Sequence, residues 1–145
     1  MRSRAASTPR VLTNVSATRT FALKILKASW GIAIDLSARA ICSASTEGAV
    51  QVVSRTWLRI LTPLPEADAH FLLLGLKRVA PSIEAACPED PIIIEVQRID
   101  YAPTDYQPEA MAAAMIGRAL EEIDFEVPPI DVSFDHERNR YVFVY

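Results

Sequence analysis

The chain has 145 residues, half of them apolar, and a formal net charge of −3, which suits one globular domain. No apolar run reaches the ~18–20 residues of a membrane span. The stretch from Ala28 to Ala44 comes nearest and is interrupted by Asp35 and Arg39, so a soluble, cytoplasmic protein is expected.

The charge is uneven. Arg2, Arg4, Arg10, Arg19, Lys24 and Lys27 all precede the first acid, Asp35, and the remainder carries all 18 acids against nine bases. So acidic a body repels phosphate backbones, which argues against nucleic-acid binding by it. Residues 1–29 read as a basic, disordered or processed segment. Their Ser, Thr, Ala and Arg content also resembles an organellar transit peptide, which would move the protein into an organelle. A single domain is expected over 30–145, with its core over 50–145.

Residues 21–42 carry two periodicities. Leu23, Leu26, Trp30 and Ile34 suit one helix face, whereas Ile32, Ile34 and Leu36 alternate as in a strand. The reading adopted is a helix to about Ser29 and an extended segment after it. Ser43–Gly48 is turn-like, and a single strand is expected over Val50–Leu61. Thr56, Leu58 and Ile60 would share one face of it, with Arg55, Trp57 and Arg59 on the other.

Glu66–Cys87 reads as a helix with a buried stripe of Leu72, Leu76, Val79 and Ile83. Pro81 should kink or split it near Val79–Ala80. Ile92–Ile99 is the clearest strand. Tyr106–Ile123 is the clearest helix, with Ala112, Met115, Ile116, Ala119 and Ile123 on its inner face. Thr104 or Asp105 would be its N-cap, and Gln107 would close a capping box with Thr104. After Pro128–Pro129, alternation over Ile130–Phe134 and Arg140–Tyr145 predicts a hairpin joined by Asp135–Asn139. The expected fold class is therefore α/β, an α+β two-layer sandwich. Its body runs strand, helix, strand, helix, strand, strand, with both helices on one face of a mixed sheet.

The strand ending in TPLPE (Thr62–Glu66), the helical RVAPSIEAA (Arg78–Ala86), PIIIEVQRIDY (Pro91–Tyr101) and EAMAAAMIGRAL (Glu109–Leu120) carry a resemblance. Val52–Leu120 resembles domain IV of translational GTPases of the elongation factor G type. The resemblance implies the fold and, through it, a translation-related accessory role. The chain has no P-loop GxxxxGK[ST] and lacks the family's glycine- and histidine-rich loop signals.

The densest polar cluster runs from Asp100 to Glu109, between the best strand and the best helix. Loops in this position often bind ligands in α/β sheets. Tyr101, Thr104, Asp105, Tyr106, Gln107 and Glu109 are its candidate binding residues, for an unknown protein or peptide partner. Arg138 and Arg140 are candidates for an anion. The motifs GxSxG, HExxH and GxGxxG are absent, so a non-catalytic interaction or ligand-binding module without cofactor or metal is expected. The alternative is a small enzyme with acid/base residues at Asp105, His136 and Glu137, which requires those groups to lie within hydrogen-bond reach. Cys42 and Cys87 show no metal-ligand spacing and read as buried thiols.

Overall fold

A computed structural model describes residues 17–42, 45–87, 89–122 and 130–145. The expected Ile123 and Pro128–Pro129 features, and residues 1–16 of the basic segment, lie outside these. The described chain opens with two strands, β1 (Arg19–Leu26) and β2 (Gly31–Cys42), paired antiparallel from Arg19↔Ala38 to Leu26↔Gly31. The helix expected up to Ser29 is therefore a strand. Phe21, Leu23 and Ile25 alternate with exposed Ala22, Lys24 and Leu26, and in pairing with β2 this period of two prevails over the helical spacing.

The core also starts earlier than residue 50. Ile32, Ile34, Leu36, Ala38 and Ala40 on one face of β2 are all at most 2% exposed. The single strand expected over Val50–Leu61 is two, β3 (Val50–Val53) and β4 (Thr56–Ile60). They turn at Ser54, which adopts a left-handed φ of 49°. Thr56 and Leu58 face the core as expected, with Trp57 and Arg59 opposite.

Helix α1 (Glu66–Ala86) then crosses over to β5 (Ile92–Asp100), which lies parallel to β4. The expected stripe of Leu72, Leu76, Val79 and Ile83 is buried. Pro81 does not split α1. It lies on the exposed side with Lys77 and Arg78, where water can satisfy the carbonyl it leaves unpaired.

A 3₁₀ turn at Pro103–Asp105 precedes helix α2 (Ala110–Glu122). The final hairpin is β6 (Asp131–Asp135) and β7 (Arg140–Val144). The main sheet has the order β1-β2-β5-β4-β3, and β6-β7 forms a separate small sheet. The result is a mixed α+β fold with two helices packed on each other. α2 lies against β1 and β2, and α1 against β3 and β4.

Two contacts fix this packing. A Cβ at Gly75 of α1 would fall 2.5 Å from the carbonyl oxygen of Ala112 in α2, so the helix backbones approach where neither carries a large side chain. Arg118 of α2 is 2% exposed and donates to the carbonyl of Ala38 through Nε (3.1 Å) and Nη2 (2.8 Å). Ala38 borders a register irregularity in the β2–β5 ladder. Arg118 also donates to the carbonyl of Arg19 and pairs with Glu122 at 2.9 Å, so one side chain ties α2 to both β1 and β2.

The outer face of the sheet carries its own network. Glu95, 4% exposed on the central strand, accepts from Arg39 of β2 at 2.7 Å and from Arg59 of β4 at 3.0 Å. Burial alone would raise the Glu95 pKa, but the hydrogen bonds from Arg59 and Arg39 outweigh it. They hold the carboxyl below its usual range.

Cys42 and Cys87 are joined by a disulfide between the end of β2 and the C-cap of α1. The expectation of two buried thiols gives way here, because the antiparallel β2–β5 pairing and the α1 crossover bring their Cα atoms to 6.8 Å.

Candidate functional site

The Asp100–Glu109 stretch leaves β5 at the edge of the helix layer and is tied down on both sides. Asp68 stands in the first turn of α1, where an acid is favoured by the helix dipole, and is 1% exposed. Its two carboxylate oxygens accept from Tyr101 (2.8 Å) and Tyr106 (2.6 Å). The two phenol rings stack with centroids 3.6 Å apart. Burial, followed by the Asp68 hydrogen bond and charge, raises the pKa of both tyrosines. Each therefore stays a neutral donor, as a buried carboxylate requires.

Gln107 is 6% exposed and holds the hairpin. Its amide nitrogen donates to the carbonyl of Tyr141 (2.6 Å), and its amide oxygen accepts from the Tyr141 N–H (2.8 Å). The side chain thus pairs with β7 as a neighbouring strand residue would. The Tyr141 hydroxyl donates to the carbonyl of Trp30 (2.7 Å) and accepts from the N–H of Lys27 (2.9 Å), which anchors the β1–β2 turn. Glu109 pairs with Arg140, and its carbonyl accepts from the hydroxyl of Tyr145 at 2.5 Å. Burial raises the Tyr145 pKa to about 12, although the hydrogen bond from the Ala113 N–H pulls the other way.

These ties explain why α2 starts late. Tyr106 is extended, with φ −149° and ψ 147°, because its hydroxyl must reach Asp68, and Gln107 must turn toward β7. Helical geometry cannot serve both, so neither Thr104 nor Asp105 caps the helix. The first turn is closed instead by Ala110 N–H to the carbonyl of Gln107 and Met111 N–H to that of Pro108.

The candidate residues divide into two groups. Tyr101, Tyr106, Gln107 and Glu109 hold the structure together, whereas Thr104 is exposed and Asp105 half-buried. Asp105 lines an open depression of about 350 Å³ with Lys24, Ile25, Leu26, Gly31 and Ala33. Leu26 at its edge is 76% exposed.

Arg138 lies in the hairpin turn and Arg140 opposite Asp135 in the pair that closes it. Arg138 approaches Asp135 at 3.8 Å. A second depression of about 340 Å³ is lined by Glu109, Arg138, Arg140 and Phe143. His136 is exposed and edge-on to Phe134, with ring centroids 5.0 Å apart. Among the described residues, no hydrogen bond or ion pair joins Asp105 to His136 or Glu137. The backbone N–H of Glu137 donates to Asp135 within the turn. No group of three His, Cys, Asp or Glu side chains among the described residues is arranged to hold a metal ion. No helix among them is long and apolar enough to cross a membrane.

The sequence marks neither Arg118 nor the Arg39–Glu95–Arg59 row as a cluster, because these residues are far apart in the chain. Asp68 had a local signal as a first-turn acid, but its two tyrosine partners lie 33 and 38 residues away. No protein-family model matches the chain, and no curated protein matches its sequence.

Proposed function

We propose that this chain is a non-catalytic interaction module that holds a protein or peptide partner against the turn following β5. The observation that supports it is the division within Asp100–Glu109. Tyr101, Tyr106, Gln107 and Glu109 are fixed by internal bonds, and the stretch between them, Ala102–Thr104, is exposed. A turn held this firmly loses little conformational freedom on binding, which favours affinity. Leu26 offers apolar contact and Asp105 polar contact in the adjoining depression, and Pro103 and Thr104, next to Asp105 in the chain, are exposed.

The test uses Leu26→Asp, Thr104→Arg and Asp105→Lys in a pulldown, with Arg78→Glu on the exposed side of α1 as control. The expected result is a partner retained by wild type and control and lost with the three variants, at unchanged melting temperature. A set of partners indifferent to all three changes ends this reading.

A second reading rests on the resemblance to domain IV of elongation factor G-type GTPases. β4, α1, β5, a polar loop and α2 follow in the order that resemblance implies, which supports a translation-related accessory role. Ribosome co-sedimentation that persists in moderate salt is its expected outcome. Free migration at low salt removes it.

A further inference from the structure

Cys42 and Cys87, the chain's two cysteines, join the sheet layer to the helix layer. The two ends differ in access. Cys42 is half-buried, whereas Cys87 is 6% exposed. The C-terminal end of α1 also has a second hold that does not involve sulfur. The Arg55 guanidinium donates to the carbonyls of Glu84 (3.0 Å), Cys87 (2.5 Å) and Asp90 (2.8 Å). In return, the Glu84 carboxylate accepts from the N–H of Arg55 (3.1 Å) and the hydroxyl of Thr56 (2.6 Å). This clamp joins the β3–β4 turn to the helix end and satisfies carbonyls that a helix C-terminus leaves open. The C-terminal end of α1 is therefore held by Arg55 and Thr56 as well as by the disulfide.

We propose that Cys42–Cys87 is a reversible thiol-exchange site, at which Cys42 accepts a mixed disulfide with a small thiol of the glutathione class. The thiolate of the small thiol attacks Cys42 Sγ, which belongs to the more exposed of the two residues. A bond forms between the two, the Cys42–Cys87 bond breaks, and the electron pair leaves on Cys87 Sγ, which takes a proton from water. A second small thiolate then attacks the small-molecule sulfur of the mixed disulfide and releases Cys42 as a thiolate, which is protonated in turn. The protein disulfide is reduced to two thiols, and two small thiols are oxidised to one disulfide. The reverse sequence closes the site.

The experiment equilibrates the full chain in graded mixtures of reduced and oxidised glutathione, quenches with acid, alkylates, and reads the intact mass. Wild type is expected to pass from unalkylated to doubly alkylated as the reduced fraction rises, with its native circular dichroism retained throughout. Its melting temperature should fall by roughly 10 °C on reduction, with no such response in the Cys42→Ser/Cys87→Ser double variant. Cys87→Ser should trap one glutathionyl group on Cys42, and Cys42→Ser should acquire none on Cys87 in the folded state. The proposal is overturned if both thiols alkylate at every ratio, or if folded Cys87→Ser takes up no glutathionyl group. It is also overturned if Cys87 is modified as readily as Cys42. Where a variant loses its native spectrum, peptide mapping of quenched wild type decides, since the mixed disulfide must sit on Cys42.

Discussion

Asp68, Glu95 and Arg118 are charged side chains at most 4% exposed, and each has partners from other elements. For Asp68 those partners are two phenols, so Tyr106→Phe removes one hydrogen bond to a buried carboxylate. The expected loss is about 1.5–3 kcal/mol in urea unfolding. Tyr101→Phe should cost a similar amount, and the double variant should depart from additivity because the pair shares one acceptor. Glu95 gives a pH prediction. Its folded pKa lies below the ordinary value of 4.5, so the stability it contributes is present above that value and is lost as pH falls through the folded one. Urea midpoints measured over about pH 3–6 should fall less steeply for Glu95→Gln than for wild type. Parallel acid limbs would show that the Arg39–Glu95–Arg59 row does not govern this region.

Between elements, the close contact of α1 and α2 at Gly75 makes a sharp demand. Gly75→Val forces the helices apart at Ala112 and should destabilise by about 1–3 kcal/mol or more. A variant as stable as wild type would mean the helices can shift without loss. The β6–β7 hairpin depends on a different device, because a two-stranded sheet alone is marginal. Gln107→Ala leaves the N–H and carbonyl of Tyr141 without their buried partners. Hydrogen exchange at the Tyr141 amide should accelerate strongly, whereas amides of β5 should keep their protection. Equal acceleration in β5 would mean that the hairpin and sheet open as one unit.

At the scale of the whole molecule, β1 belongs to the packed body even though its sequence is basic and continuous with the N-terminal segment. A Cβ at Gly117 of α2 would sit 2.2 Å from the Phe21 ring, so β1 lies directly on α2. A chain beginning at Ala28 should therefore lose cooperative unfolding in circular dichroism melts. A native-like melt from that truncation would show β1 to be dispensable.

Local pattern is enough for the elements whose periodicity has one solution. The α1 stripe, the isoleucine-rich β5, the alanine-rich α2 and the final hairpin were all legible, as was the mixed α+β class. These follow from local pattern, because alternation and helical spacing record which side of a segment meets the core. Residues 21–29 have two local solutions, because Leu23, Leu26, Trp30 and Ile34 also fit a helix face, and only pairing with β2 selects the strand. Within Asp100–Glu109, the polar cluster is plain in the sequence, where Thr104 or Asp105 reads locally as the helix N-cap. Tertiary structure decided instead that Tyr101 and Tyr106 turn to Asp68 and Gln107 to Tyr141, which leaves Thr104 and Asp105 at the surface. Those partners lie 33 to 38 residues apart, as the disulfide partners lie 45 apart. A contact at that range is set by how layers stack, and no local periodicity encodes it.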